Sequence, residues 1–268
     1  MSSQGVEGRR AKLAGAMGAL ARDPRAFLEV AVDQAERAVE PLRARPSAER
    51  RPLAEIVEGL DAALGVEVSG FLREPELGQI ESAVAARAER LAPEAPFPLT
   101  HNAAPSLAHL CYALCRALRP ASVVETGVAY GVTSAFITKA LEVNGHGCLQ
   151  SVDRAPVRPG VEDYIGALVP EQQRARWTLH RGRSRRLLPR MLEDAEGLSM
   201  FIHDSWHTYR NMSWELEVAT PHLTRPAAVL VDDAADNRAF EDWVERERPE
   251  FSAVVAEDPV AVAVLEQR

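Results

Sequence analysis

Residues 123–134 read Val-Val-Glu-Thr-Gly-Val-Ala-Tyr-Gly-Val-Thr-Ser. The apolar run ahead of Glu125 has the character of a buried parallel strand. Beyond Gly131 the periodicity turns helical through Ala135, Phe136, Lys139 and Leu141. Strand, tight glycine loop and helix therefore follow one another. Gly127 permits backbone angles closed to other residues, and Gly131 is expected to let a ligand approach the main chain at the helix N-terminus, where unpaired N–H groups point outward. The spacing Glu125-x-Gly127-x-x-x-Gly131 is neither the Gly-x-Gly-x-x-Gly of a dinucleotide fold nor a phosphate loop with its Gly-Lys-Ser/Thr. An NAD-dependent oxidoreductase is disfavoured on that ground.

The chain around this loop has 268 residues, enough for one large α/β domain and a smaller appendage. It has no run of about 18 apolar residues, and the N-terminus, with Glu7, Arg9, Arg10 and Lys12 scattered in it, lacks the apolar core of a signal peptide; a cytoplasmic protein with no membrane partner is expected. The 39 acidic side chains outnumber the 31 basic ones, and the resulting charge of −8 argues against a nucleic-acid partner. Lys12 and Lys139 are the only lysines, and with the abundant alanine this suggests a high-GC bacterial genome. Arg181, Arg183, Arg185 and Arg186 form the one basic cluster, read as a solvated loop and first helical turn, with an anion or substrate site as the alternative. Cys111, Cys115 and Cys148 form no metal pattern; the first two lie one helical turn apart and suit buried small side chains.

Residues 1–96 carry helical signals and almost no strand signal. Asp23-Pro24 opens a helix through Phe27, Leu28, Val30, Ala31 and Ala35; after a break at Arg45-Pro46-Ser47 come a second with Leu53, Ile56, Val57 and Leu60 on one face, and a third through Leu77, Ile80, Val84 and Leu91. The proline-rich stretch 92–98 stops regular structure and marks the expected boundary between a helical region, 1–96, and a second domain, 97–268. There helices 104–118, 131–143, 161–168, 184–194, 208–221 and 237–247 alternate with strands 122–127, 148–153, 177–181, 198–203 and 227–232, and a final pair of strands lies near 252–257 and 260–266. This is an α/β pattern, a doubly wound and mostly parallel seven-stranded sheet with ligand chemistry at the strands' carboxyl ends.

On the Glu125–Ser134 loop the chain resembles the class I S-adenosylmethionine-dependent methyltransferases, with a Rossmann-like fold. The resemblance implies a cofactor site of Glu125, Gly127, Tyr130, Gly131, Ser134, Asp153, Ser184 and Asp204. Asp153 ends the second strand, where a carboxylate can accept hydrogen bonds from both hydroxyls of a ribose. Gly182-Arg183-Ser184 ends the third, where family members commonly contact the adenine. Glu125 looks like the acid that helps hold the amino-acid part of the cofactor.

The next two strands discharge polar groups at adjacent ends: Phe201-Ile202-His203-Asp204, followed by Ser205, Trp206, His207 and Tyr209, and Val231-Asp232-Asp233. These segments resemble a small-molecule branch that includes macrocin-type sugar O-methyltransferases and, more distantly, catechol O-methyltransferase. Its fourth-strand motif runs roughly Phe-Ile-Asp-Gly-x-His-x-Tyr; here His203 is a one-residue insertion and Ser205 replaces the glycine. Methyl transfer to a hydroxyl needs a group to take the proton. His207 as base, or Mg²⁺ held by Asp204, Asp232 and Asp233, could supply it, with Asp204 beside His207 as the second catalytic residue. Asp233 could instead cap the next helix. Trp206 and Tyr209 could wall the acceptor pocket, and His101-Asn102 sits where the family often brings a lid.

The expectation is thus a methyltransferase of bacterial natural-product biosynthesis that acts on a hydroxyl of a small molecule, with the N-terminal helices as lid, homodimer interface or both. The alternatives are a metal-independent N-methyltransferase and a non-catalytic S-adenosylmethionine-binding module.

Overall fold

The computed structural model describes residues 45–99, 103–154 and 160–266 continuously, with isolated positions between 32 and 40. The chain divides into two compact units, Met1–Ala44 and Arg45–Arg268, and the second is the body described below. Of the helix expected from Asp23-Pro24 to Ala35, only positions 32 and 35 are described, both helical; His101-Asn102 lies outside the described residues.

The apolar runs form strands because both of their faces are covered. Strand β1 is Arg50–Arg51, followed by β2 (Ser122–Thr126), β3 (Cys148–Asp153), β4 (Trp177–Arg181), β5 (Leu198–His203), β6 (Ala227–Val231), β7 (Phe251–Val255) and β8 (Ala261–Leu265). They make one sheet in the order β1-β7-β8-β6-β5-β2-β3-β4, in which β8 alone runs antiparallel to its neighbours. The sheet has eight strands rather than seven. The extra one, Arg50–Arg51, is exposed and joins β7 through its main chain, so no apolar run announces it.

Alternate residues of the inner strands feed two cores. Val123, Met200, Ile202, Ala228 and Leu230 face helices α1 (Leu53–Leu64), α2 (Val68–Phe71), α3 (Pro75–Leu91), α4 (Pro105–Leu118) and α5 (Val132–Asn144). Val124, Phe201, Val229 and Val231 face α6 (Ser184–Asp194), α7 (Tyr209–Ala219) and α8 (Ala239–Glu247). Such two-sided burial is the condition for a parallel sheet, and each fully buried Leu or Ile contributes about 1.5–3 kcal/mol. The helices of 53–91 share the first core with the sheet, Ile56, Leu60 and Ile80 being fully or almost fully buried in it. Cys111 and Cys115 are buried free thiols on α4.

The helix expected over 161–168 is instead a short 3₁₀ turn, Glu162–Tyr164. Gly166 adopts a left-handed φ of 73°, and a Cβ there would lie 2.0 Å from the Trp177 ring. The tight seat under tryptophan overrides the helical spacing.

The strand order reverses between β2 and β5, and three main-chain bonds carry the ladders past the strand ends: Gly127 N–H to Val152 O (2.9 Å), Asp204 N–H to Thr126 O (2.8 Å) and Asp232 N–H to His203 O (2.9 Å). Gly127, Asp204 and Asp232 are thereby aligned along one carboxyl edge, where doubly wound folds bind ligands. Gly127 has φ 86°, and a Cβ on it would stand 1.8 Å from the carbonyl oxygen of Asp204. Because both the φ and the main-chain overlap oppose a side chain, Gly127→Ala is expected to destabilise the protein by about 3 kcal/mol or more, read by urea denaturation.

Candidate active site

Glu125 lies inside β2, and its side chain is fully buried. One oxygen accepts hydrogen bonds from Ser134 Oγ on α5 and Ser151 Oγ on β3, both at 2.6 Å; Oε1 has no partner. Burial raises its pKa to about 8, against the two serine bonds that lower it. Asp153 ends β3 and takes the N–H groups of Val128 and Ala129 on Oδ2, both at 2.7 Å, so its carboxylate ties down the first turn of the glycine loop. Its pKa too is raised by burial, in opposition to those amides.

On the side where a Cβ would stand, Gly131 is covered rather than open. Gly166 Cα would be 2.8 Å from that Cβ, and Gly166 and Leu168 donate their N–H groups to the carbonyls of Ala129 and Tyr130. The positive φ of Gly131 therefore serves a main-chain contact with the 164–169 segment. Tyr130 is buried, stacks on Phe97 with ring centroids 3.9 Å apart, and donates its hydroxyl to Phe97 O at 2.5 Å. It pins the approach to α4 onto the loop. Ser184, the first residue of α6, helps to lower the pKa of Glu215 on α7. In the arginine cluster, Arg185 lies 4.9 Å over the Trp214 ring and donates to Arg210 O.

The reacting edge gathers Asp204, His207 and Asp232, each offering an atom within 4.8 Å of the others. His207 Nε2 stands 3.6 Å from Asp204 Oδ1, beyond hydrogen-bond range, while Nδ1 meets Asp233 Oδ2 at 2.5 Å. Asp233 is thus on the far side of the imidazole from Asp204, and does not cap α8, whose cap residue is Arg238 and whose first N–H, that of Ala239, is taken by Asn237 Oδ1. Burial favours a neutral His207, but the carboxylates of Asp204 and Asp233 outweigh it and raise its pKa to about 10. Asp232 rises to about 8, chiefly through burial and then through the nearby charge of Asp204. The hydrogen bond from His207 holds Asp233 below the usual range.

A fourth group is not visible in the motifs. Glu215 is fully buried under the crevice and accepts from Thr126 Oγ1 (2.5 Å), His203 Nδ1 (2.6 Å), Ser205 Oγ (2.9 Å) and Asn211 Nδ2 (3.0 Å). Burial pushes its pKa up, yet His203 and these donors bring it down to about 2. The available signal is positional: Asn211, Met212, Glu215, Leu216 and Ala219 form the inward stripe of α7, where an acid is costly unless paired.

A family model described as a methyltransferase domain matches residues 124–234, from the strand that carries Glu125 to just beyond Asp232-Asp233. The matched stretch contains the strand, glycine loop and helix whose motifs resemble the class I S-adenosylmethionine-dependent methyltransferases. By sequence, no curated protein matches. Among solved structures, a methyltransferase from Geobacter sulfurreducens is similar at 21% identity and a TM-score of 0.52, covering 69% of this chain and 88% of that one. An O-methyltransferase from Bacillus cereus, solved with S-adenosylhomocysteine, gives 13% and 0.50 over 72% and 92% of the two chains. A methyltransferase from Podospora anserina, also bound to S-adenosylhomocysteine, gives 9% and 0.51 over 69% and 88%. At these identities the likeness is one of fold.

The methyltransferase domain keeps an acid, Glu125, where water cannot reach it. Its folded pKa lies above its ordinary value of 4.5, so the stability associated with its protonated form is fully present below pH 4.5 and lost as pH rises through about 8. Glu125→Gln should therefore flatten that decline and raise stability at pH 7 by about 3 kcal/mol. The same variant should weaken S-adenosylhomocysteine binding, measured by calorimetry beside thermal melts across that pH range.

Proposed function

We propose that this domain binds S-adenosylmethionine along the Glu125–Ser134 loop and Asp153, and transfers its methyl group to a hydroxyl of a small molecule. One observation carries the reading. Glu125 Oε1, His203 Nε2, His207 Nε2 and Asp232 Oδ1 are all buried without a hydrogen-bond partner, and all belong to the carboxyl ends of three adjacent strands or the turn that follows. Buried polar atoms are normally satisfied, so this edge is built for a polar guest.

S-adenosylmethionine supplies a sulfonium methyl, and the residues must hold an oxygen in line with it and take up its proton. His207 suits the proton uptake once a cation offsets the Asp204 charge that keeps it protonated, because Asp233 accepts from Nδ1–H, which fixes the tautomer and leaves Nε2 to receive the proton. Asp204 and Asp232, close together with one oxygen lacking a partner, fit a hard divalent cation such as Mg²⁺. Such an ion would draw their charge away from His207 and lower the pKa of the acceptor hydroxyl. Asp233, engaged by His207, has the role of orienting that ring. The wider reading is a cytoplasmic, homodimeric enzyme of bacterial secondary metabolism, its residues 1–96 serving as lid or interface. Among the described residues no helix is long and apolar enough to cross a membrane.

The test is methyl transfer from S-adenosylmethionine to a panel of phenols, catechols and sugar alcohols, with chelator and with Mg²⁺ restored. His207→Ala and Asp232→Asn should each lower kcat/KM by about a hundredfold or more while leaving S-adenosylhomocysteine affinity within about threefold. Amine acceptors methylated in the presence of chelator, and by Asp232→Ala, would favour N-methylation without metal; affinity for the cofactor with no transfer to any acceptor would favour a binding module.

A further inference from the structure

Glu215 joins parts of the domain that serve different ends. Thr126 is the residue before Gly127 and the cofactor loop; His203 ends β5; Ser205 sits in the turn between Asp204 and His207. Asn211 reinforces the arrangement by donating to Glu215, to Ser205 Oγ and to Trp206 O. The loop and the turn also touch directly, since the missing Cβ of Gly127 leaves room for the Asp204 carbonyl.

We infer that Glu215 is a positioning residue that locks the cofactor loop and the reacting turn into one rigid edge, and holds His203 as the Nδ1–H tautomer with Nε2 facing the crevice. The inference rests on the methyltransferase reading of this edge. Every hydrogen-bond partner of the carboxylate is a donor: the hydroxyls of Thr126 and Ser205, an imidazole N–H and an amide N–H. Only an acceptor with two oxygens satisfies them all. A glutamine must turn its NH₂ either toward Asn211, which can accept only by flipping its amide and giving up its bond to Trp206 O, or toward His203, which can accept only by moving its proton to Nε2. Glu215 is therefore not replaceable by its own isostere, although the change adds no bulk.

The experiment measures S-adenosylhomocysteine affinity by calorimetry, and the His203 tautomer by ¹⁵N NMR at one fixed pH, in the wild type, Glu215→Gln, Ser205→Ala and Thr126→Val. Wild-type binding is the control: its absence would contradict the methyltransferase reading, not the role of Glu215. With it in place, Glu215→Gln should show His203 protonated at Nε2 and bind about tenfold more weakly, the equivalent of one badly broken buried hydrogen bond. Ser205→Ala and Thr126→Val, which each remove one donor and preserve the fold, should each weaken binding by about threefold, and less than additively when combined. A folded Glu215→Gln with unchanged affinity and the Nδ1–H tautomer overturns the inference. If Glu215→Gln does not fold, unchanged affinity in both single-donor variants overturns it equally.

Discussion

The carboxyl edge of this sheet depends on a contact between two main chains. Gly127, with φ 86°, comes so near the Asp204 carbonyl that a methyl group would overlap it at 1.8 Å. No side chain can substitute for that proximity. Because the loop after β2 and the turn after β5 are held together, Glu125, Asp153, Asp204, His207 and Asp232 lie along one carboxyl edge at the point where strand order reverses.

The edge also concentrates charge in a place that disfavours it. Glu125 and Asp232 are both pushed up to about 8, mainly by burial, while Glu215 falls to about 2 because its donors and His203 outweigh the same effect. The difference is one of partners. Glu215 has all its donors and acts as a fixed support; Glu125 and Asp232 each keep an oxygen without one. Acids with an unpartnered oxygen beside a fully satisfied acid are what a ligand site needs, since the guest supplies the missing interactions and the support must not move when it does.

Much of the fold is legible in the sequence because a strand buried on both faces is an uninterrupted apolar word: Val123-Val124, Phe201-Ile202 and Val229-Leu230-Val231 each mark a strand in the right place. The segment at 161–168 misleads because its helical spacing is interrupted by Gly166, whose left-handed seat under Trp177 is a tertiary fact. Arg50–Arg51 leaves no trace because its pairing involves only backbone. In the site, acids and histidines after strands are visible one by one, but their pairings are not. Asp233 looks like a companion of Asp232 by adjacency, and its left-handed φ of 49° accompanies a carboxylate bound to His207 instead. Glu215 escapes notice because glutamate on a helix reads as surface until one notes that Met212, Leu216 and Ala219 share its face.

A crystal structure of the wild-type protein grown with S-adenosylhomocysteine tests the central claim most directly, namely that one crevice serves both halves of the reaction. The ligand is predicted to lie across the Gly127 loop, its ribose on Asp153, its amino-acid end near Glu125 and its thioether facing Asp204 and His207. S-adenosylhomocysteine bound elsewhere on the domain, or a crevice that takes NAD and refuses S-adenosylhomocysteine, would contradict it.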